Sequence, residues 1–550
     1  MEQSSAFIAT LGAGRSRGSY ALSRHACATA GNKNLWQRKK SLSILGLKVG
    51  RGRLCLRAQT STGAVSNATE ATAERPFKVL IANRGEIAIR AIRTCQELGI
   101  RTVQVHSTAD TDSLAVRMAD ERICIGPPAP RESYLNIPAI ISACEVTGAD
   151  AVYPGFGFLS ENARFADLLE QHEITFIGPS ARAIALMGDK STAKATMRQA
   201  GVPIVPGSDG LLRDVSEARR VAREIGYPVM LKATAGGGGR GIRLVRSESE
   251  LENAYVTCEQ EAKGAFGNGA LYMEKFIESP RHVEIQVIGD SHGNVIYLGE
   301  RDCSVQRRNQ KLLEEAPSPA VTPEIRQQMG EAACKAAKAI GYCGAGTVEY
   351  IMSSTGEFYF MEMNTRIQVE HPVTEMITGL DIVALQIAVA RGEPLPLRQE
   401  QVGLNGWAME ARINCEDALQ AFRPMPGVVT NFLAPGGNGV RWDGCIYPGY
   451  NIPPYYDSML GKLICWAPTR EAVIRKLRRA LGEMQIEGIP STVPFHLALL
   501  DNPAFQEGKT VYTNFIEREG ILDQLKARVQ SASQPSGRDA VAAVPAAASK

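Results

Sequence analysis

Apolar and polar positions along the chain repeat with two periods, near two and near 3.6 residues, and these divide it into elements. PFKVLIAN (76–83) reads as a buried strand, IAIRAIRTCQELG (87–99) as an amphipathic helix closed by Gly99, and RTVQVHS (101–107) as a second strand. The alternation continues to ITFIGPS (174–180). It predicts a parallel α/β layer with helices on both faces. Within it, YPGFGFLSEN (153–162) sets Gly155 and Gly157 either in a ligand loop at a strand's C-terminal end or in plain turns.

Further on the pattern changes. YPVMLKATAGGGGRGIRLV (227–245) is two strands around a run of four glycines. Such a run is costly in chain entropy. It suits a hairpin whose backbone N–H groups close over phosphate oxygens, or a floppy surface turn. LYMEKFI (271–277) is a further strand, whose alternation suits an adenine slot. HVEIQVIGD (282–290) and NVIYLGERDC (294–303) form a hairpin. SVQRRNQKLLEEAPSP (304–319) gathers Gln306, Arg307, Arg308, Gln310 and Lys311, balanced by Glu314 and Glu315.

The densest chemistry lies at 358–375, FYFMEMNTRIQVEHPVTE. Its first part reads as a strand, preceded by GTVEYIM (346–352) and turn residues 353–356. A hairpin there sets Glu349 opposite Glu362, with Asn364 one step further on. Two carboxylates and an amide oxygen suit a hard divalent cation. Arg366 and Gln368 continue the alternation and suit a small oxyanion; Glu370 follows as a candidate base. Glu349 alone also fits a solvated strand pair, but polar groups interleaved with large apolar ones need partners. MGDKSTAK (187–194) lacks the phosphate-loop spacing, so Lys190 is either a phosphate contact or a surface lysine.

The chain has 550 residues, 44% hydrophobic and 22% charged, which predicts several soluble domains and no membrane span. Its net charge of +3 is uneven. Residues 1–69 hold eleven Lys or Arg and one acid, Glu2, a net of +10, so the rest carries −7. A mildly acidic body argues against nucleic acid. The Ser-, Ala- and Arg-rich leader reads as an organelle transit peptide over 1–70, for chloroplast in preference to mitochondrion, with a basic surface-binding tail as the alternative. The 12 cysteines, with no CxxC pair, give no disulfide framework or zinc spacing.

ANRGEIA (82–88), PGFGFLSEN (154–162), MGDK (187–190), GGGGRG (236–241), EKFIE (274–278), RHVEIQV (281–287), QRRNQK (306–311), EMNTRIQVEHPVTE (362–375) and PPYYDSM (453–459) together resemble the biotin carboxylase family of ATP-grasp enzymes, over about 77–523. The resemblance implies a multidomain α/β and α+β fold. It comprises a Rossmann-like preATP-grasp domain (76–188), an ATP-grasp domain (189–406) with a mobile lid over about 205–275, and a C-terminal domain (407–523). A disordered tail (524–550) is expected beyond them. It also implies that bicarbonate attacks MgATP to give carboxyphosphate, whose CO₂ is captured by biotin.

By the same resemblance, Lys190, Lys232, Gly238, Gly239, Glu274, Lys275, Ile277, His282, Gln306 and Asn309 contact ATP, with Glu349 and Glu362 beside it. Glu349, Glu362 and Asn364 bind Mg²⁺ or Mn²⁺, at two sites. Lys311, Arg366, Gln368, Val369 and Glu370 hold bicarbonate, Glu370 being the base. Arg412 stabilises the biotin enolate. Tyr153 and Asn309 depart from the histidines of bacterial-type members. No biotinyl-lysine motif and no carboxyltransferase-sized region is found. The implied partners are therefore a separate biotin carboxyl carrier protein and carboxyltransferase α and β subunits, as in the chloroplast acetyl-CoA carboxylase of fatty-acid synthesis. A homodimer is also implied, and Arg90, Arg93 and Glu97, on one helix face, form either its surface or a solvated helix face. A different ATP-grasp ligase or a non-catalytic ATP-binding subunit are the competing readings; Arg412 and the intact acidic set speak against them.

Overall fold

The computed structural model describes residues 76–237, 240–266 and 268–533. The leader expected at 1–70 and the lid glycines Gly238 and Gly239 lie outside the described residues.

The strand–helix alternation of the first segment folds as its periodicity predicts. Five parallel strands stand in the order Glu121–Gly126, Arg101–Ser107, Lys78–Ile81, Ala151–Tyr153, Thr175–Phe176. The helix Gly85–Glu97 buries Ile87, Ala88, Ile89, Ala91, Ile92 and Cys95, and Gly99 follows at φ +68°. Arg90 departs from the expected surface role. It lies in the helix's buried stripe, 2.8 Å from both Glu375 and Asp381. Arg93 and Glu97 are exposed.

An eight-stranded antiparallel sheet forms the floor of the molecule's main cleft. Its order is Phe358–Asn364, Gly344–Met352, Arg281–Gly289, Val295–Arg307, Gln310–Ala316, Trp407–Asn414, Met459–Ala467, Val440–Gly444. The strands from 407 onward thus extend the same sheet, through Gln310–Ala316 against Trp407–Asn414. One core cluster runs continuously from Val79 to Leu525. A smaller layer holds Arg240–Val245, Val229–Gly237 and Leu271–Lys275, antiparallel, against helices Val215–Ile225 and Glu248–Phe266.

A helix occupies Ile521–Ser533, where the sequence suggests a disordered tail from 524. Ile521 and Leu525 pack into the main core, which gives this segment the burial a disordered tail lacks. Residues 534–550 lie outside the described residues. Tyr153, the last residue of its strand in the parallel sheet, is wholly buried with its hydroxyl 3.3 Å from Gln386, so this departure falls in the core. Among the described residues, no single helix is long and apolar enough to cross a membrane.

Candidate active site

A cleft of about 1270 Å³ lies between the small layer and the central sheet. Lys190, Lys232, Glu274, Lys275, Ile277, His282, Gln306, Asn309, Lys311, Glu349, Glu362, Asn364, Arg366, Gln368, Val369 and Arg412 all line it. These residues are scattered over more than 220 positions of sequence, and only the fold brings them together.

The hairpin of Gly344–Met352 and Phe358–Asn364 pairs Glu349 directly with Glu362. Asn364 is one step beyond, and its amide donates to Glu349 at 2.9 Å. Burial, and then the charge of Glu349, raise the carboxyl of Glu362 above its ordinary range. Burial opposes ionisation of Glu349 as well, but Lys311 and His282 outweigh it and pull its carboxyl far below the usual range. His282 Nε2 stands 2.9 Å from Glu349. Two facing acids that repel one another, with an amide oxygen alongside, are a donor set that fits a divalent cation.

The strand ends at Asn364, earlier than the alternation suggests. Arg366 and Gln368 then lie on an irregular segment, and their order comes from a network. Arg366 donates to Asn364 at 3.0 Å, to Gln368 at 2.9 Å and to Glu161 at 2.9 Å. Gln368 donates onward to Glu349 at 3.0 Å. Glu370 sits at the N-cap of helix His371–Thr378 and is wholly buried. Lys311 Nζ is 2.6 Å from one of its oxygens and Arg412 Nη2 is 2.8 Å from the other. Burial disfavours its charge, yet Lys311, Arg412 and Arg301 together hold the carboxyl well below the ordinary range. The base candidate is therefore an anion clamped by cations.

Toward the cleft mouth, Lys232 lies 2.5 Å from Glu274, and Lys194 pairs with that carboxylate's other oxygen. Lys190 is largely exposed and 3.9 Å from Glu362. Lys275 differs from a free phosphate ligand: the carbonyls of Gly226 and Tyr227 take its ammonium at 2.9 and 3.0 Å. Gln306 is buried, with its amide 3.5 Å from His282. Arg308 and Asn309 form a hairpin tip at φ +49° and +66°. Asn tolerates this backbone better than most side chains, which suits it to that place.

Several site residues were not singled out from the sequence. Glu161 orders Arg366 and the backbone N–H of Thr365. Lys194 follows Lys190 by one helical turn, a spacing that puts both on one face. Glu284 alternates with His282 on Arg281–Gly289 and accepts from Lys311 at 2.6 Å. Glu314, read from the sequence only as balancing the basic cluster, accepts from Arg412 at 2.6 Å. Lys462 is wholly buried and donates to the Val369 carbonyl at 2.7 Å.

Three family profiles match in order. They are "Biotin carboxylase, N-terminal domain" at 76–184, "Carbamoyl-phosphate synthase L chain, ATP binding domain" at 189–398, and "Biotin carboxylase C-terminal domain" at 410–518. A biotin carboxylase of Nostoc sp. is 58% identical over 440 residues, 80% of this chain and 98% of the relative. A chloroplastic biotin carboxylase of Arabidopsis thaliana is 54% identical over 453 residues, 82% of this chain and 84% of that one. Among solved structures, the biotin carboxylase domain dimer of Hydrogenobacter thermophilus 2-oxoglutarate carboxylase, in complex with MgADP, ADP and bicarbonate, is 52% identical. It superposes with a TM-score of 0.72 over 81% of this chain and 98% of that domain. With identity of this level running almost end to end along a biotin carboxylase, the chain belongs to the biotin carboxylase family.

Proposed function

We propose that the protein carboxylates biotin carried on a separate protein, using ATP and bicarbonate, as the first half-reaction of an acetyl-CoA carboxylase. The observation that carries this reading is Glu370, buried and held at 2.6 Å by Lys311 and at 2.8 Å by Arg412, two residues that line a cleft of lysines and paired acids. A base between two cations, next to Arg366 and Gln368, is built for a small anion that must lose a proton.

The nucleotide lies against the segment from Glu274 to Ile277, with Lys190, Lys194 and Lys232 at its phosphates and His282, Gln306 and Asn309 around it. Glu349, Glu362 and Asn364 hold Mg²⁺ or Mn²⁺. When bound, the cation neutralises phosphate charge and orients the γ-phosphate.

Bicarbonate is held by Arg366, Gln368, the Val369 backbone and Lys311. Glu370 takes its proton as an oxygen attacks the γ-phosphorus and the bond to ADP breaks. The carboxyphosphate formed breaks its C–O bond to give CO₂ and phosphate; the released phosphate takes the N1′ proton of biotin, and N1′ captures the CO₂. Arg412, permanently charged, stabilises the anion on the ureido oxygen. Both cations on Glu370 are thus ones that substrates recruit. As Lys311 turns to bicarbonate and Arg412 to biotin, the carboxylate loses its clamps and gains basicity at the moment it is needed.

The partners in this reading are a biotin carboxyl carrier protein and carboxyltransferase α and β subunits, with the chain itself a homodimer. The compartment is the plastid stroma, in keeping with the basic leader. The lobes divide near 188 and 407. Incubation with radiolabelled bicarbonate, MgATP and a biotinylated carrier domain tests the activity. Label must appear on the carrier and require ATP; an unlabelled carrier overturns the reading.

A further inference from the structure

Behind Arg412 the central sheet carries buried carboxyls that the chemistry above does not use. Glu314 and Glu410 are direct cross-strand partners on Gln310–Ala316 and Trp407–Asn414. Partners of this kind on one face have Cβ atoms about 4.5–5.5 Å apart. Both residues are wholly buried. Their neighbours Ala316 and Ala408 pack with Val373 and Ile377, so helix His371–Thr378 seals this face. Glu314 Oε1 accepts from Arg412 at 2.6 Å, whereas Glu314 Oε2 and both oxygens of Glu410 have no hydrogen-bond partner.

The surrounding charges do not balance two anions here. Arg412 is shared with Glu370, and Lys311 with Glu284, Glu349 and Glu370. Arg301 pairs with Glu284. Lys462, on the neighbouring strand, donates to the Val369 carbonyl, stands 3.2 Å from Glu86 and makes no hydrogen bond to Glu410. His371, on the sealing helix, is kept neutral by burial. An unpaired carboxylate in such surroundings is costly, and adjacent acids relieve the cost by keeping a proton.

We propose that Glu314 and Glu410 are a buried acid pair sharing one resident proton, and that this proton preserves the attraction of Arg412 for the anion that forms on biotin. With one proton the pair carries a single negative charge; without it the pair carries two, and Arg412 is drawn back onto them. No proton is gained or lost per turnover, so both are positioning residues acting through Arg412. Burial raises the carboxyl of Glu314 to about 7, against the pull of Arg412, and raises that of Glu410 well above the ordinary carboxylate range, against Lys462. The inference rests on Arg412 being the residue that meets biotin.

Infrared difference spectroscopy of the full-length protein without substrates reads the proton directly. At neutral pH a protonated-carboxyl band is expected that disappears in Glu410→Gln; should that variant not fold, the band must move or vanish in Glu314→Gln. No protonated-carboxyl band, or one that neither substitution touches, overturns the proposal. Kinetics test the link to Arg412. In Glu410→Gln the alkaline fall of biotin-stimulated turnover moves up by about one pH unit or more, because the second charge can no longer appear. An unmoved alkaline limb overturns that link. If the acceptor is not biotin, the infrared result still stands while biotin stimulation fails in the wild type, so the two failures are distinguishable.

Discussion

Lys462 Nζ lies 2.7 Å from the carbonyl oxygen of Val369, joining the strand Met459–Ala467 to the segment that leads into Glu370. The lysine is wholly buried, and its other neighbour is Glu86, from the opening ANRGEIA motif. Distant parts of the chain therefore fix the backbone beside the base.

Removing that tether misplaces the bicarbonate site. Lys462→Met leaves a carbonyl and a carboxyl without their partner, and a shift of about 1 Å at a reacting group costs on the order of 100-fold. The expected outcome is a bicarbonate KM raised at least about tenfold, with nucleotide affinity little changed. Lys462→Arg should recover part of the loss. Steady-state kinetics at saturating ATP check this; an unchanged KM in a folded Lys462→Met removes the positioning role.

Glu370→Gln is nearly isosteric but cannot accept the bicarbonate proton. Turnover should fall by about 10²–10⁴-fold, the usual contribution of general base catalysis. ATP affinity should stay near that of the wild type, since Glu370 lies beneath the nucleotide cleft. Equilibrium nucleotide binding alongside phosphate release separates the two effects. Because its cations hold Glu370 well below the ordinary carboxylate range, the unliganded protein should keep it ionised throughout mildly acid conditions.

The facing pair Glu349 and Glu362 predicts a dependence on divalent cation. Glu362→Gln removes a ligand and also relieves the repulsion that a cation would relieve. The Mg²⁺ concentration for half-maximal activity should rise by about tenfold or more. Chelation should abolish turnover in the wild type. A Mg²⁺ titration of both proteins decides.

Glu86 predicts how stability varies with pH. Burial raises its carboxyl from 4.5 to about 7, against the pull of Lys462. Between those values the folded chain binds a proton that the unfolded chain releases. Its contribution to stability is therefore present below about 4.5 and is lost as pH rises toward 7. Glu86→Gln should flatten that part of the profile, and thermal unfolding from pH 4.5 to 8 measures it.

Much of the site was legible because the hairpin around residue 355 is local. Period-two alternation and a turn are enough to set Glu349 against Glu362. The glycine run between two strands was legible for the same reason. Contacts across the sheet were not. Lys311 meets Glu284 across 27 positions and Glu370 across 59, and no periodicity says which strands become neighbours. Lys462 is the single charged residue of its strand, and Glu410 shares with Arg412 a strand whose first half reads as apolar. Arg90 shows the converse error: a cation in an amphipathic helix was placed on the surface, but its partner Glu375 is 285 residues away and holds it inside.

The central claim is most directly tested by phosphate release from MgATP in the presence of bicarbonate, with and without free biotin. The account predicts release that requires bicarbonate and is stimulated by biotin, with the stimulation lost in Arg412→Met. Bicarbonate-independent release, or release that biotin or its biotinylated carrier domain leaves unchanged, would contradict it.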